Sequence, residues 1–587
     1  MTLQKLTVPY SKVIYIVLFL GCLWIPNTVF STIPNETNNS NPPETAPTLS
    51  YDILSVQKAL SKLGLYVGPE NGRLTGETIA AIKFYQRSKL MEVDGQVTKV
   101  LIEKLNYTVN IRKLMKRLDQ ARKRSISAAR SKLLSHPATR NLILSGEEIE
   151  IANPIRDATS CFKVPTAFCL LAEARESAKA VGRHELRDWA LGEILIAQAR
   201  AGLGEAAFET TSRIRDPRLI IVALGDIADA RAAAGDADAA ISAAKLIPDN
   251  EKRAKVMISI SEIQEKRGDE GDAKKTLQVL LRELVKMHPL VSRIDYLART
   301  AVVFYRTGEN KKSMQILHEI ELLISKLKKK EYIDSSRRFF ASALVQTGDV
   351  AGALQILKKI EKESDRIPVF LALSDSYAEK RDWKATIKFA NNVKKPRFHA
   401  IALGRIAAEQ ITVSNFAGAA STLKKAIKAV ENIKRPYAKS YAVSHLIIES
   451  ARLFLLGKPD YIHAGSRAIY LATQISDSRL KARALWLMSA YYEEHGHERE
   501  TRRIMQLARG ATLEISSRLS QVWMFSNLAN LHAYNGNFEA GWTAFYNGLA
   551  VAQNIENSWN RARTLAKLAS TMVILVDPGR GVNSVIE

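Results

Sequence analysis

The sequence predicts an all-α protein in which a small three-helix module precedes a long array of helical hairpins. Residues 51–107 hold three apolar stretches at helical spacing, and turn residues separate them. Along residues 155–575, turn signals recur at spacings of 33 to 45 residues, with small residues at fixed offsets on both sides. The composition, 46% hydrophobic and 25% charged in 587 residues, is that of a folded chain of several domains.

The chain carries a strong positive charge. Its 85 Lys and Arg against 60 Asp and Glu give a net charge of +25. This surplus either serves solubility or favours anionic partners, among them nucleic acid, anionic lipid and the acidic groups of a cell envelope.

The first 31 residues have the features of an export signal. Lys5 and Lys12 precede the apolar run 13–25, which is short for a membrane span, and Val29-Phe30-Ser31 places small residues at the spacing that a signal peptidase needs. We expect a signal peptide cleaved after Ser31, with an uncleaved N-terminal anchor as the alternative. The predicted location is the periplasm or cell envelope, at the inner membrane if the anchor stays. An exported protein rarely meets nucleic acid, so no nucleic-acid partner is expected.

Residues 32–50 are rich in Pro, Asn and Thr and are predicted to form a disordered linker. The module at 51–107 follows. Apolar residues at helical spacing predict the inner faces of its three helices: Val56, Leu60 and Leu63, then Ile79, Ile82 and Tyr85, then Val100, Leu101 and Leu105.

The module also carries a recognisable motif, formed by Gln57, Leu60, Leu63-Gly64, Gly68, Asn71-Gly72, Thr78, Ala81-Ile82, Tyr85-Gln86, Leu90 and Asp94-Gly95. This pattern resembles the peptidoglycan-binding-like domain of bacterial cell-wall proteins. The resemblance implies peptidoglycan as the ligand. The polar and aromatic residues that it offers as contacts are Gln57, Tyr66, Asn71, Arg73, Tyr85, Gln86 and Asp94.

A basic helical connector is predicted at residues 108–150. Residues 108–140 contain ten Lys and Arg and one acidic residue, Asp119, which gives a net charge of +9. Ile111, Leu114, Met115 and Leu118 form an apolar stripe at helical spacing. The segment is a solvated connecting helix, a contact for an anionic envelope polymer or lipid, or, less plausibly in an exported protein, a nucleic-acid contact.

The repeats at 151–575 are marked by nine turns: Gly235-Asp236, Gly268-Asp269, Gly308-Glu309, Gly348-Asp349, Arg381-Asp382, Ser414-Asn415, Pro459-Asp460, Gly496-His497 and Gly536-Asn537. Nearly all residues seven before and five after each turn are small, which lets paired helices approach closely. The pattern resembles the tetratricopeptide repeat. That resemblance implies a right-handed α-solenoid of nine or ten hairpins, with an earlier hairpin at Gly204-Glu205-Ala206 as a cap. It also implies a groove for as yet unidentified protein partners.

Cys161 and Cys169 remain if the signal is removed, and Pro165 between them breaks the chain. In an exported protein such a pair forms a disulfide or stays as two buried thiols.

No catalytic constellation, metal-site spacing or cofactor motif is found. His495 and His497 flank a turn, and their spacing matches no metal site. Residues 576–587 are predicted to be a disordered tail. Aromatic residues gather between 523 and 559, where they suit a repeat core or an aromatic groove.

The predicted function is therefore that of an exported, non-enzymatic scaffold that binds peptidoglycan and recruits proteins. Two alternatives remain: an accessory subunit or regulator of a separate cell-wall hydrolase, and an interaction scaffold whose module has lost its ligand.

Overall fold

The structure, a computed structural model, describes residues 50–144, 150–153, 155–457 and 461–581. These residues are helical with no strand, which confirms the all-α class. They form two compact units, one within residues 50–129 and one within 130–581. None of the described helices combines the length and apolar character that crossing a bilayer requires. The predicted signal at 1–31, nearly all of the linker and the turn at Pro459-Asp460 lie outside the described residues.

The first unit packs three helices around one small core. They are α1 (Ser50–Lys62), α2 (Gly76–Ser88) and the first part of α3 (Lys99–Ser135). The core includes Val56, Leu60, Ile82, Leu101 and Leu105, all nearly inaccessible to water.

Two details of this unit differ from the sequence-based expectation. Val100 is exposed, while its neighbour Leu101 faces the core. The third helix also continues through the basic segment to Ser135, because neither Gly nor Pro interrupts residues 99–135.

The second unit is built from shorter helices. They are α4 (Pro137–Leu144), α5 (Thr159–Lys163), α6 (Ala167–Lys179), α7 (His184–Arg200), α8 (Gly204–Ser212), α9 (Pro217–Ala233), α10 (Ala237–Lys245), α11 (Asn250–Arg267), α12 (Glu270–Leu284), α13 (Leu290–Arg306), α14 (Asn310–Ser325), α15 (Lys330–Gln346), α16 (Val350–Lys358), α17 (Glu363–Glu379), α18 (Trp383–Asn391), α19 (Pro396–Thr412), α20 (Phe416–Glu431), α21 (Pro436–Leu456), α22 (Ile462–Thr473), α23 (Ser478–Glu494), α24 (Glu498–Leu513), α25 (Arg518–Tyr534), α26 (Phe538–Gln553) and α27 (Ser558–Val576), followed by a 3₁₀ turn at Pro578–Gly581.

Small residues bring the two helices of a hairpin together. Ten hairpins run from α7–α8 to α25–α26. In α13–α14, the Ser313 hydroxyl donates a 2.8 Å hydrogen bond to the Ala301 carbonyl. In α25–α26, a Cβ atom on Gly541 would lie 3.3 Å from the Ala529 carbonyl oxygen. The tetratricopeptide-like array is thus confirmed, with the small residues where the helices of a pair touch.

The two helices of each hairpin have different neighbours. The odd-numbered helices from α7 to α27 pack against one another in succession, whereas the even-numbered ones share few contacts with each other or none. We call the odd-numbered set the inner helices and the even-numbered set the outer helices. The inner helices crowd together because they lie on the concave side.

The array closes on itself. Inner helix α27 pairs with outer helix α6 and also packs against α7 and α25, so both ends of the unit contribute to an eleventh hairpin. Leu565, Leu568 and Ile574 of α27 are fully buried, as expected of a helix that is apolar on most of its circumference. The hairpin at Gly204 is therefore not an end cap, because α6 and α27 cover the side that a cap would leave open.

Candidate functional site

Gln57 clamps the first turn of the small unit from inside the core. Its side-chain carbonyl accepts a 2.9 Å hydrogen bond from the Gly72 amide. Its amide nitrogen donates to the Arg73 carbonyl at 2.9 Å and to the Thr78 hydroxyl at 3.2 Å. Since Gln57 is fully buried, its role is to hold the Asn71-Gly72 turn.

Gln86 repeats this arrangement at the second turn. It accepts a 2.9 Å hydrogen bond from the Gly95 amide and donates a 2.6 Å bond to the Asp94 carboxylate. The Gln96 amide also donates to Asp94, and these two bonds, with the Gln96 bond dominant, lower the pKa of the Asp94 carboxyl. Gly72 and Gly95 both have positive φ angles, which is why each turn requires glycine.

The two tyrosines among the predicted contacts are also buried. The Tyr66 hydroxyl donates to the Pro69 carbonyl at 3.1 Å, and the Tyr85 hydroxyl donates to the Lys104 carbonyl at 2.9 Å. Of the seven predicted contact residues, the exposed ones are Asn71, Arg73 and Asp94. Asn71 accepts a bond from the Arg73 amide and so stabilises its own turn, as Asp94 does.

An open cleft of about 720 Å³ lies beside the predicted set and shares only Tyr66 with it. Its lining residues come from the segment after α1 and from one face of α2: Leu65, Tyr66, Val67, Gly68, Glu77, Ala80, Ala81 and Phe84. Phe84 is 58% exposed and Val67 is fully exposed. A volume of this size suits a small ligand or part of a polymer chain.

Gly68 shapes the wall of this cleft. A Cβ atom there would lie 2.6 Å from the Tyr66 hydroxyl and 2.9 Å from a Glu77 carboxylate oxygen. Any side chain at this position would displace Tyr66 or fill the space beside Glu77. The motif glycine therefore allows a close approach in the cleft.

Three residues that line the cleft, Val67, Glu77 and Phe84, are not among the contacts predicted from the sequence. The signal was available in α2, where Phe84 lies outside the face formed by Ile82, Tyr85 and Gln86. An aromatic residue on the exposed face of a short helix is a better indication of a contact than a buried one.

We call the closed array of helices the ring. Its inner helices bring an arginine together with several tryptophan side chains. The Arg563 guanidinium carbon lies 4.5 Å from the ring centroid of Trp189, 4.6 Å from that of Trp559 and 5.3 Å from that of Trp523. Trp523 and Trp559 thus belong to the closure, whereas Phe525 and Phe545 are buried in the repeat core.

Acidic residues of α9 lie in the same inner layer. Loss of hydration, together with the neighbouring Asp226 carboxylate, raises the pKa of Asp229 to about 7. Loss of hydration also raises the pKa of Asp226, to about 6, although the charges of Arg200 and Lys255 oppose this shift.

Two other groups of residues from the sequence analysis have defined surroundings. A disulfide joins Cys161 of α5 to Cys169 of α6, with Cα atoms 5.7 Å apart. His497 packs near Phe454 and Tyr492. Across the described ranges, no cluster of three or more His, Cys, Asp or Glu side chains is arranged to hold a metal ion.

Comparison with known proteins identifies the small unit. Residues 50–105 match the family described as "Putative peptidoglycan binding domain". Among curated proteins, none matches the chain. The domains found are thus of binding and repeat types.

Solved helical-repeat structures are also similar to the chain. The Rap protein complexed with competence and sporulation factor is 13% identical, with a TM-score of 0.24 over 56% of this chain and 99% of its own. A circular tandem repeat protein is 12% identical, with a TM-score of 0.15 over 91% and 97%. Scores this low carry no argument about function.

Proposed function

We propose that the protein is an exported, non-enzymatic scaffold that binds peptidoglycan through its first unit and recruits proteins through its helical ring. The observation that carries the proposal is the exposed Phe84 cleft within a domain of the putative peptidoglycan-binding family. The mechanism is localisation, since a partner held near the wall has a raised effective concentration there.

The cleft offers chemistry that suits a cell-wall polymer. Phe84 and Val67 present apolar surface to the C–H face of a sugar or to the methyl groups of a stem peptide. Glu77 supplies a carboxylate that accepts hydrogen bonds from hydroxyl or amide groups. Gln57 and Gln86 hold the two turns of the domain by hydrogen bonds. We therefore assign the contact to the cleft instead of to the buried motif residues.

The basic part of α3 favours a second contact, with anionic lipid. Its apolar stripe, Ile111, Leu114, Met115 and Leu118, is between 42% and 56% exposed. Most basic side chains of residues 112–124 lie away from this stripe, as in helices that lie in a membrane interface, whereas Arg122, four residues after Leu118, continues the line of the stripe. An anionic wall polymer would use the charges but not the stripe. Leu114→Glu should weaken binding to phosphatidylglycerol vesicles more than Gln120→Glu does, and equal effects would contradict the lipid contact.

Sedimentation of the purified full chain with peptidoglycan sacculi tests wall binding. The wild-type protein should pellet with sacculi, and Phe84→Ala should weaken binding about 5–10-fold, because it removes one aromatic contact of roughly 1 kcal/mol. Tyr107→Ala, which removes an exposed aromatic residue outside the cleft, is the matched control.

Two outcomes would redirect the proposal. If the protein does not pellet above a control protein, the module has lost its ligand and only the interaction scaffold remains. If partner capture recovers a cell-wall hydrolase whose activity rises in the complex, the protein is its accessory subunit. Release of muropeptides by the purified chain alone would contradict a non-enzymatic role.

A further inference from the structure

Three consecutive inner helices, α19, α21 and α23, bring an arginine-rich cluster together. α21 lies between the other two and carries Tyr441 and His445. The Tyr441 and His445 ring centroids are 4.8 Å apart in an edge-on arrangement. From α19, the guanidinium carbon of Arg397 lies 5.5 Å from the Tyr441 ring centroid.

The charges in this cluster have few counterions. Arg405 of α19 forms an ion pair with Asp375 at 3.7 Å. Arg397 and Arg483 of α23 have no ion pair with any residue of the described ranges. Burial lowers the pKa of the Arg483 guanidinium, and Tyr441 alone acts against that effect. Two guanidinium charges are thus held on the inner layer without a carboxylate beside them.

His445 lies in the same surroundings, where positive charges outnumber negative ones. It is accessible to solvent, yet the surrounding protein restricts its hydration and, together with Arg483 and Arg405, lowers its pKa to about 4. His445 is therefore neutral near pH 7 and adds no positive charge of its own. Its neutral ring can donate or accept one hydrogen bond.

Hydrogen bonding in the cluster is also incomplete. The Nε atoms of Arg397 and Arg483 are shielded from water without a hydrogen-bond acceptor in the described part of the chain. A buried N–H without an acceptor is costly, so each of these guanidinium groups gains from an oxyanion placed beside it. Because the Nε atoms are shielded from water, such an oxyanion meets the terminal nitrogens.

We propose that Arg397 and Arg483, on either side of Tyr441, bind a carboxylate of an acidic segment in a partner protein. This inference rests on the proposed recruitment of proteins by the ring and specifies the chemistry of the partner. A carboxylate matches the planar guanidinium group and supplies the missing negative charge. The Asp226 carboxylate of α9, which is mostly ionised above its pKa of about 6, repels such a segment from its own sector of the ring.

Fluorescence anisotropy with a labelled penta-glutamate peptide and the full chain tests this site. The peptide should bind at low salt, and the Arg397→Gln/Arg483→Gln variant should bind at least tenfold more weakly. Arg502→Gln/Arg509→Gln on outer helix α24 removes the same charge and should change affinity less than twofold. A Lys/Lys variant at 397 and 483 should recover part of the binding, since it restores charge without planar geometry.

The folding state of the variants is measured by thermal unfolding without peptide. The Gln variant should melt at or above the wild-type temperature, because it removes buried charges that lack partners. Peptide binding unchanged by Arg397→Gln/Arg483→Gln would overturn the proposal. So would inorganic phosphate that binds wild type at concentrations where the peptide does not. If the peptide does not bind but the protein still binds sacculi or captures a partner, this site is overturned and the proposed function stands.

Discussion

Arg563 and Glu193 form a 2.7 Å ion pair although 370 positions separate them in the chain. Arg563 belongs to the last helix of the ring and Glu193 to its first inner helix. Arg200 and Ser570 make a second link of the same kind, a 2.8 Å hydrogen bond between the same two helices. The closure of the ring thus has polar contacts of its own in addition to the apolar packing of α27.

Arg563→Ala should weaken the contact between α27 and α7 that closes the ring. It leaves the Glu193 carboxylate without its main partner and removes the cation from between three tryptophans, at a cost of about 3 kcal/mol. Hydrogen exchange should rise in α6, α7 and α27. Arg299→Ala, which breaks a 2.7 Å pair with Glu262 between α11 and α13, is the control and should act only on its own neighbours. Unchanged protection of α6 in the Arg563 variant would contradict the closure.

Asp229 should make the ring less stable as pH rises. Its pKa is about 7 in the folded chain, against about 4 for an unfolded aspartate. Between those values the unfolded chain loses a proton that the folded chain retains, so stability falls across this window and is constant above it. Asp229→Asn should therefore stabilise the protein at pH 8 by up to about 4 kcal/mol, the equivalent of a shift of about three pKa units, and leave it unchanged at pH 4.

Urea unfolding at a series of pH values measures this effect. Asp238→Asn, at an exposed position in α10, is the control and should keep the wild-type slope between pH 4 and 7. If the unfolding free energy of the Asp229 variant falls with pH as steeply as that of the wild-type protein, ionisation of Asp229 does not cause the loss of stability.

Gln57→Ala should destabilise the first unit while leaving the ring intact. The change leaves the Gly72 amide and the Thr78 hydroxyl without their buried partner, at a cost of about 2–3 kcal/mol. For so small a core this is a large share of the total stability. Hydrogen exchange in α1 and α2 measures it, with Lys58→Ala at an exposed site of α1 as control. Loss of sacculus binding with unchanged exchange would instead make Gln57 a direct contact.

Removal of the disulfide should loosen α5 from α6. Cys161→Ser/Cys169→Ser removes a short cross-link and should cost about 2–3 kcal/mol locally. Protease cleavage in α5 should accelerate in the variant, and reductant should accelerate it in the wild-type protein alone. Equal cleavage of both proteins without reductant would argue against a stabilising role.

The hairpins could be predicted from sequence because each depends on local signals. Ala301 and Ser313, twelve residues apart, lie where two antiparallel helices must touch, and their size is visible in the sequence. The Gln57 and Gln86 motif likewise revealed the fold of the small unit. The role of these glutamines as internal clamps was not visible, because the sequence does not distinguish a polar side chain that bonds a turn from one that bonds a ligand.

Ring closure could not be predicted in the same way. The pairing of α27 with α6 depends on the summed rotation of ten hairpins, and no local pattern records that sum. Arg563 and Glu193 look like ordinary helix surface residues until the two ends meet. The composition of α27 gives no sign of closure either, because α16, α21 and α26 are more apolar than α27.

Because α27 completes the hairpin that α6 begins, the order of synthesis matters. The ribosome releases α6 and α7 long before α27 exists, so the faces that α27 covers stay open to water throughout elongation. A nascent chain of this protein therefore carries an uncovered apolar surface until α27 is made. A premature stop before residue 558 would make that surface permanent, whereas an open array shortened by one repeat would merely acquire a new end.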